Sequence, residues 1–196
     1  MKRAFDLLFG IIGLLLLLPI FLFVSILIVI DNGLPVFFVQ KRIGKDLKEF
    51  GLVKFRSMRK LRSNETDIQI TIGKNNRITK VGAFLRHYKI DELPQLINIV
   101  RGHMSFVGPR PEVPKYVALY TQEQKKIFSI RPGLTDYASI KYKDESTLLA
   151  NSNDPEKFYV EKVMQDKLNI NLEYVSNLSF WRDIIIIKET IKAILF

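Results

Sequence analysis

Asp91 and Glu92 are adjacent carboxylates in the run Lys89-Ile-Asp-Glu-Leu-Pro-Gln-Leu-Ile-Asn-Ile-Val-Arg-Gly-His-Met-Ser-Phe-Val-Gly-Pro-Arg-Pro111, with cations on both sides of them. An ionised carboxylate can attack phosphorus to give an acyl phosphate, and a neighbouring one can hold a divalent ion or move a proton. The plainer alternative makes Asp91 the N-cap of a helix over 92–100 and Glu92 a first-turn complement to the helix dipole. A cap position also places Asp91 in positive potential, which favours its ionised form, while Glu92 points about 100° away. On spacing alone both readings stand.

Four basic segments could serve such chemistry. Arg86 falls near the end of a helix expected over 78–88, where it either complements the helix dipole or clamps a phosphate. Strand alternation along Lys54-Phe-Arg-Ser-Met58 puts Lys54 and Arg56 on one face, suited to a diphosphate but equally to a solvated surface. In Gly108-Pro-Arg-Pro111 the rings of Pro109 and Pro111 stiffen the backbone and present Arg110, whose planar guanidinium suits bidentate phosphate contact. A Pro-rich turn is the alternative there. Arg131-Pro-Gly133 is a weaker case of the same kind.

The elements that must position these groups follow from pattern. Leu7 to Ile30 is a run of 24 residues without a charge, long enough to cross a bilayer as a helix. Pro19 breaks it near the middle into halves of about 12 residues, each too short to cross. Lys2 and Arg3 precede the run and Lys41, Arg42, Lys45, Lys48 and Lys54 follow it, so the positive-inside rule pulls both flanks to the cytoplasm. A re-entrant helix hairpin over 1–31 satisfies both facts, with Ser25 or packed protein relieving the break at Pro19. A cleaved signal peptide is not expected, because the apolar run is too long and no small-residue cleavage site follows it. Residues 32–196 read as one small α/β domain: strands over 36–39 and 52–58, a loop over 62–77, helices over 78–88, 92–100, 114–128 and 155–174, and a last helix over 181–196 suited to a membrane interface. The expected class is mixed α/β, mostly helical.

The 30 Lys and Arg against 20 Asp and Glu give a formal charge of +10, which favours an anionic leaflet, a phosphorylated small molecule or nucleic acid as partner. No nucleic-acid module is recognisable, so nucleic acid is not expected. The absence of cysteine excludes disulfides, zinc thiolates and a thiol nucleophile. With His87 and His103 the only imidazoles, a metal would be hard Mg²⁺ on carboxylate and phosphate oxygen, with Asp91 and Glu92 as ligands.

Taken together, Lys54-Phe-Arg-Ser-Met58, Asp91-Glu92 with Leu96 and Asn98, and Met104-Ser-Phe-Val-Gly-Pro-Arg-Pro111 resemble the bacterial sugar transferase family, the monotopic phosphoglycosyl transferases, and the resemblance covers nearly the whole chain. It implies transfer of a phospho-sugar from a UDP-sugar to polyprenol (undecaprenyl) phosphate with Mg²⁺, at the cytoplasmic face of the bacterial inner membrane, through a hairpin broken near a proline. It implies a ping-pong mechanism in which Asp91 is the nucleophile that displaces UMP, Glu92 assists at the metal or acceptor, and Lys54, Arg56, Arg86, Arg110 and Arg131 bind phosphates or nucleotide. Membrane lipid, downstream glycosyltransferases and a possible homodimer complete the implied partners.

The chain departs from the family in two places, one of them at the helix break, where Pro19 follows Leu18 and some relatives have Ser. Many relatives carry Gly-Trp-Ala-Gln-Val where this sequence has Asp136-Tyr-Ala-Ser-Ile140, so the sugar cannot be borrowed from them. Two rival classes remain: a non-catalytic membrane-anchored protein that binds acidic ligands, which predicts that Asp91 is dispensable, and a scaffold with a degenerate site, whose mark is loss of activity without loss of partner binding.

Overall fold

Pro19 decides the course of the first helices. In the computed structural model, which describes residues 1–60 and 76–195, α1 (Lys2–Leu16) and α2 (Leu18–Asn32) meet at Leu17 with a bend of 58°. Pro19 has no N–H to offer the carbonyl of Leu15, four residues back. Backbone N–H groups at the cap serve the Gly13 and Leu15 carbonyls instead, Leu17 N–H reaching Gly13 O at 2.9 Å. Ser25 does not repair the break, because its hydroxyl donates to Phe21 O at 2.6 Å within α2. Among the described residues no single helix is long and apolar enough to cross a membrane; the bent pair meets that criterion only jointly.

The strands β1 (Phe37–Ile43) and β2 (Glu49–Phe55) form a two-stranded sheet across a 3₁₀ turn, Lys45–Leu47. The first strand is thus longer than expected and the second stops short of Arg56. Residues 62–75 of the expected loop lie outside the described residues. After them come α3 (Lys80–His87), a 3₁₀ turn at Ile90–Glu92, α4 (Gln95–Val100), β3 (Ser105–Val107) and α5 (Pro114–Val117). The helix expected over 114–128 is broken. Thr121 and Gln124 cap each other reciprocally, Gln124 N to Thr121 Oγ1 at 3.2 Å and Thr121 N to Gln124 Oε1 at 2.9 Å, and a 3₁₀ turn follows at Gln124–Ser129. The chain continues through β4 (Gly133–Thr135), α6 (Tyr137–Lys141), α7 (Glu145–Ala150), α8 (Pro155–Phe158), a π turn at Tyr159–Val163, α9 (Met164–Ser176) and α10 (Phe180–Leu195). The class is mixed α/β and mostly helical, as expected.

The described residues form two compact units, one of 1–40, 51–60 and 76–104, the other of 41–50 and 105–195. In the first, Val24 and Ile28 of α2 pack with Phe55 of β2 and Leu85 of α3. Helix α1 lies close on α4: a Cβ on Gly10 would meet Val100 Cγ2 at 3.1 Å. Arg3 donates to the carbonyls of Ile99 and Val100, at 2.7 and 3.0 Å, at the end of α4, where Ile99 O also accepts from Gly102 N at 3.0 Å. Helix α3 begins at the Thr79 cap and sits against the backbone of Ser57, where a Cβ on Gly82 would come within 2.0 Å of the Ser57 carbonyl oxygen. Backbone cannot yield as a side-chain tip does, so Gly82→Ala is expected to cost about 2 kcal/mol by overpacking and lower the thermal midpoint measured in detergent. An unchanged midpoint would contradict this packing.

In the second unit β3 pairs with β4 in parallel, Ser105 opposite Gly133 and Val107 opposite Thr135. The largest core gathers Ile43, Val113, Tyr116, Leu149, Val163 and Leu168. Ile186 of α10 packs with Val107 and Tyr174, while the Tyr174 hydroxyl lies 2.5 Å from Asp183 Oδ1.

Candidate active site

Asp91 does not cap a helix. It lies inside the 3₁₀ turn, and α4 begins after Pro94 with no side-chain cap. The turn is entered through Lys89, a non-glycine residue at φ 57°, so left-handed backbone immediately precedes the carboxylates. Glu92 N and Leu93 N then bond the carbonyls of Lys89 and Ile90 at 3.2 and 3.1 Å. This tight turn delivers Asp91 to a buried position, 5% exposed. Burial, followed by the neighbouring charge of Glu92, pushes the Asp91 carboxyl above the usual aspartate range; Lys54, Arg86 and Lys89 oppose that rise. The expectation that a helix dipole favours the ionised carboxylate is therefore corrected: three cations favour its charge against burial and Glu92.

Lys54 is brought directly to this pair, its Nζ donating to Glu92 Oε1 at 2.9 Å. Asn98 holds the strand that carries it. The Asn98 side chain accepts from Val53 N at 2.9 Å and donates to Gly51 O at 2.7 Å, acting as a short length of partner strand along β2. Arg86, in the last turn of α3, contributes its charge to Asp91. Arg56 follows the end of β2 and is buried, with Nη2 donating to the carbonyls of Asn32, at 2.6 Å, and Gly33 at the end of α2. The alternation expected to align it with Lys54 ends at Phe55.

The other basic segments belong to the second unit, where Gly108-Pro-Arg-Pro111 and Arg131-Pro-Gly133 lie side by side. Gly108 N donates to Thr135 O at 3.1 Å and Gly133 N to Pro109 O at 3.0 Å. A Cβ on Gly133 would fall 2.1 Å from Gly108 N, so only glycine permits this approach. Arg110 N donates to Asp136 Oδ2 at 2.9 Å, Arg42 Nη1 to Pro111 O at 3.1 Å and Ile43 N to Glu112 O at 3.0 Å. Five consecutive residues, 108 to 112, are thus each tied by their backbone to another segment. Arg110 hangs from a chain with little freedom left to lose on binding.

A buried turn that sets one carboxylate among three cations, with a lysine paired to its neighbour, is equipped for phosphoryl chemistry. The family model described as bacterial sugar transferase matches residues 1–196. The chain belongs to the bacterial sugar transferase family. This is a family of sugar-transferring enzymes, as the sequence resemblance implied. Among its relatives are the exopolysaccharide production protein PSS of Rhizobium leguminosarum bv. phaseoli, 37% identical over 97% of this chain and 93% of its own length, and two longer proteins. These are the UDP-N-acetylgalactosamine-undecaprenyl-phosphate N-acetylgalactosaminephosphotransferase of Aeromonas hydrophila, 32% identical over 99% of this chain, and the undecaprenyl-phosphate glucose phosphotransferase of Komagataeibacter xylinus, 35% identical over 100% of it. The chain spans 43% and 36% of the length of those two.

Asp91 and Glu92 offer hard oxygen donors that fit Mg²⁺. Among the described residues no group of three or more His, Cys, Asp or Glu gathers as a complete cage. Two carboxylates suit an ion that completes its shell with water and substrate phosphate. Sequence reading missed two polar positions, Gln95 and Glu112, and gave no partner for a third, Asp136. Gln95, one helical turn beyond Asp91, is 1% exposed with Nε2 lacking a hydrogen-bond partner among the described residues. Glu112 receives Arg42, Val113 N and the Tyr159 hydroxyl. Asp136 was visible as a departure from the family pattern, but its bond to Arg110 depends on the parallel β3–β4 pairing, which no local pattern announces.

Proposed function

We propose that this chain transfers a sugar phosphate from a UDP-sugar to undecaprenyl phosphate, initiating synthesis of a glycan, in two displacements through Asp91. In the first, Asp91 Oδ attacks the sugar-bearing phosphorus; the bond to the bridging oxygen breaks, UMP leaves, and an aspartyl phospho-sugar remains. In the second, an oxygen of the polyprenyl phosphate attacks the same phosphorus, the bond to Asp91 breaks, and polyprenyl diphosphate sugar departs with the carboxylate regenerated. Lys54, Arg86 and Lys89 favour the ionised form of Asp91 against burial and Glu92, and Lys54 neutralises negative charge on the transferring group. Arg110 and Arg131 bind donor phosphate or nucleotide. Mg²⁺, when bound through Asp91 and Glu92, supplies further neutralisation of phosphate charge.

The bent helix pair is read as re-entering one leaflet from the cytoplasmic face. Both helices expose apolar side chains, among them Leu8, Leu15, Leu22, Phe23 and Ile30, and basic residues flank the pair on each side. Helix α10 exposes Trp181, Ile185 and Ile191, which suits an interface. The product then passes to glycosyltransferases acting later on the same lipid.

The observation that carries this reading is the buried Asp91 among three cations, on a chain of this family. Its test is UMP release by detergent-solubilised protein given Mg²⁺, undecaprenyl phosphate and a panel of UDP-sugars. Release with at least one sugar is expected; silence across the panel from folded protein would overturn the reading.

A further inference from the structure

Asp136 is 1% exposed and uses both carboxylate oxygens. Oδ1 accepts from Ser139 N at 2.6 Å, capping α6, and Oδ2 accepts from Arg110 N at 2.9 Å. A cap requires only one oxygen. The second reaches out of the helix to the residue whose side chain is assigned to donor phosphate, and a hydrogen bond to a carboxylate is roughly twice as strong as one to a neutral acceptor. The preceding residue is held as well: Thr135 O accepts from Gly108 N at 3.1 Å, and Thr135 Oγ1 pairs with Thr190 Oγ1 of α10 at 2.6 Å. Residues 135 and 136 therefore fix the loop at Gly108 and Arg110, with α10 behind them.

We infer that Asp136 is a positioning residue for donor binding: its carboxylate fixes the Arg110 backbone, and through it the guanidinium that meets the donor phosphates. This rests on the Arg110 assignment in the proposed function. Without that bond the segment 108–112 loses one of its five backbone ties, at Arg110 itself, and the freedom gained there must be given up again on binding of the UDP-sugar. The effect on donor binding passes through Arg110, while loss of the α6 cap bears on stability.

The experiment is a double-mutant cycle on UMP release at varied UDP-sugar, with Asp136→Ala, Arg110→Ala and the pair, joined to hydrogen exchange at the Arg110 amide. Asp136→Ala is expected to raise KM for the donor about tenfold, with a smaller change in kcat. It should add nothing further in the Arg110→Ala background, and Arg110 amide exchange should accelerate. Asp136→Asn keeps one acceptor oxygen and falls between wild type and alanine; it carries the test should Asp136→Ala not fold. Equal KM effects in both backgrounds, or a lowered thermal midpoint with unchanged KM and unchanged Arg110 exchange, would overturn the inference. Absence of UMP release from wild type would instead overturn the transferase reading, while the exchange measurement would still report whether Asp136 holds Arg110.

Discussion

Asp91→Asn is expected to abolish UMP release, a loss of about 10⁴-fold or more, because an amide cannot form the acyl phosphate and removal of a nucleophile disables both displacements. The variant should nevertheless fold, and at neutral pH it should be more stable than wild type. Burial and Glu92 raise the folded carboxyl above its unfolded value. The fold is thus favoured most when Asp91 is protonated, and this contribution is lost as pH rises through the folded pKa. Asparagine never bears the buried charge, so its advantage in thermal midpoint should be present at neutral pH and shrink as pH falls toward the ordinary aspartate range. Full activity in Asp91→Asn would remove the nucleophile from the account. A midpoint below wild type at neutral pH would contradict the direction of the carboxyl's shift.

Lys54→Met should produce the second largest loss, about 10²- to 10³-fold in kcat, by withdrawing a fixed cation from the transferring phosphate. It also strips Glu92 of its partner and removes one of the charges that lower the Asp91 pKa. With that opposing cation gone, Asp91 ionises at higher pH, so the acidic limb of the rate profile should move upward. Lys54→Arg preserves the charge and should leave that limb near its original place even if the rate falls. Glu92→Gln should move it the other way, since Glu92 raises the Asp91 pKa. A limb unmoved in Lys54→Met would show that the lysine does not act on Asp91.

Much of this was legible in the sequence because it depends on local chemistry. A proline within an uncharged run dictates a break wherever it sits, and α1 and α2 divide beside Pro19. Asp91 as a cap was misread because Pro94, compatible with the first turn of a helix at 92, instead marks the residue before α4. The Thr121 and Gln124 pair was a readable signal for a new turn, since a threonine followed three residues later by glutamine has the spacing of a capping box. The pairing of β3 with β4 was not readable: three-residue strands 28 positions apart carry too little pattern to announce each other. Arg56 was likewise beyond local rules, because its partners lie at the end of α2. The embrace of Asn98 and β2, which sets Lys54 on Glu92, belongs to the same non-local class.

The covalent step is the centre of the account, and a single-turnover experiment without acceptor tests it most directly. Protein in molar excess over the UDP-sugar that it accepts, with Mg²⁺ and no undecaprenyl phosphate, should release UMP up to one equivalent of donor. Mass spectrometry should then find the sugar phosphate on the peptide containing Asp91, and added undecaprenyl phosphate should discharge it. UMP that appears only when acceptor is present, with no mass gained by that peptide, would contradict the two-displacement mechanism and favour direct transfer.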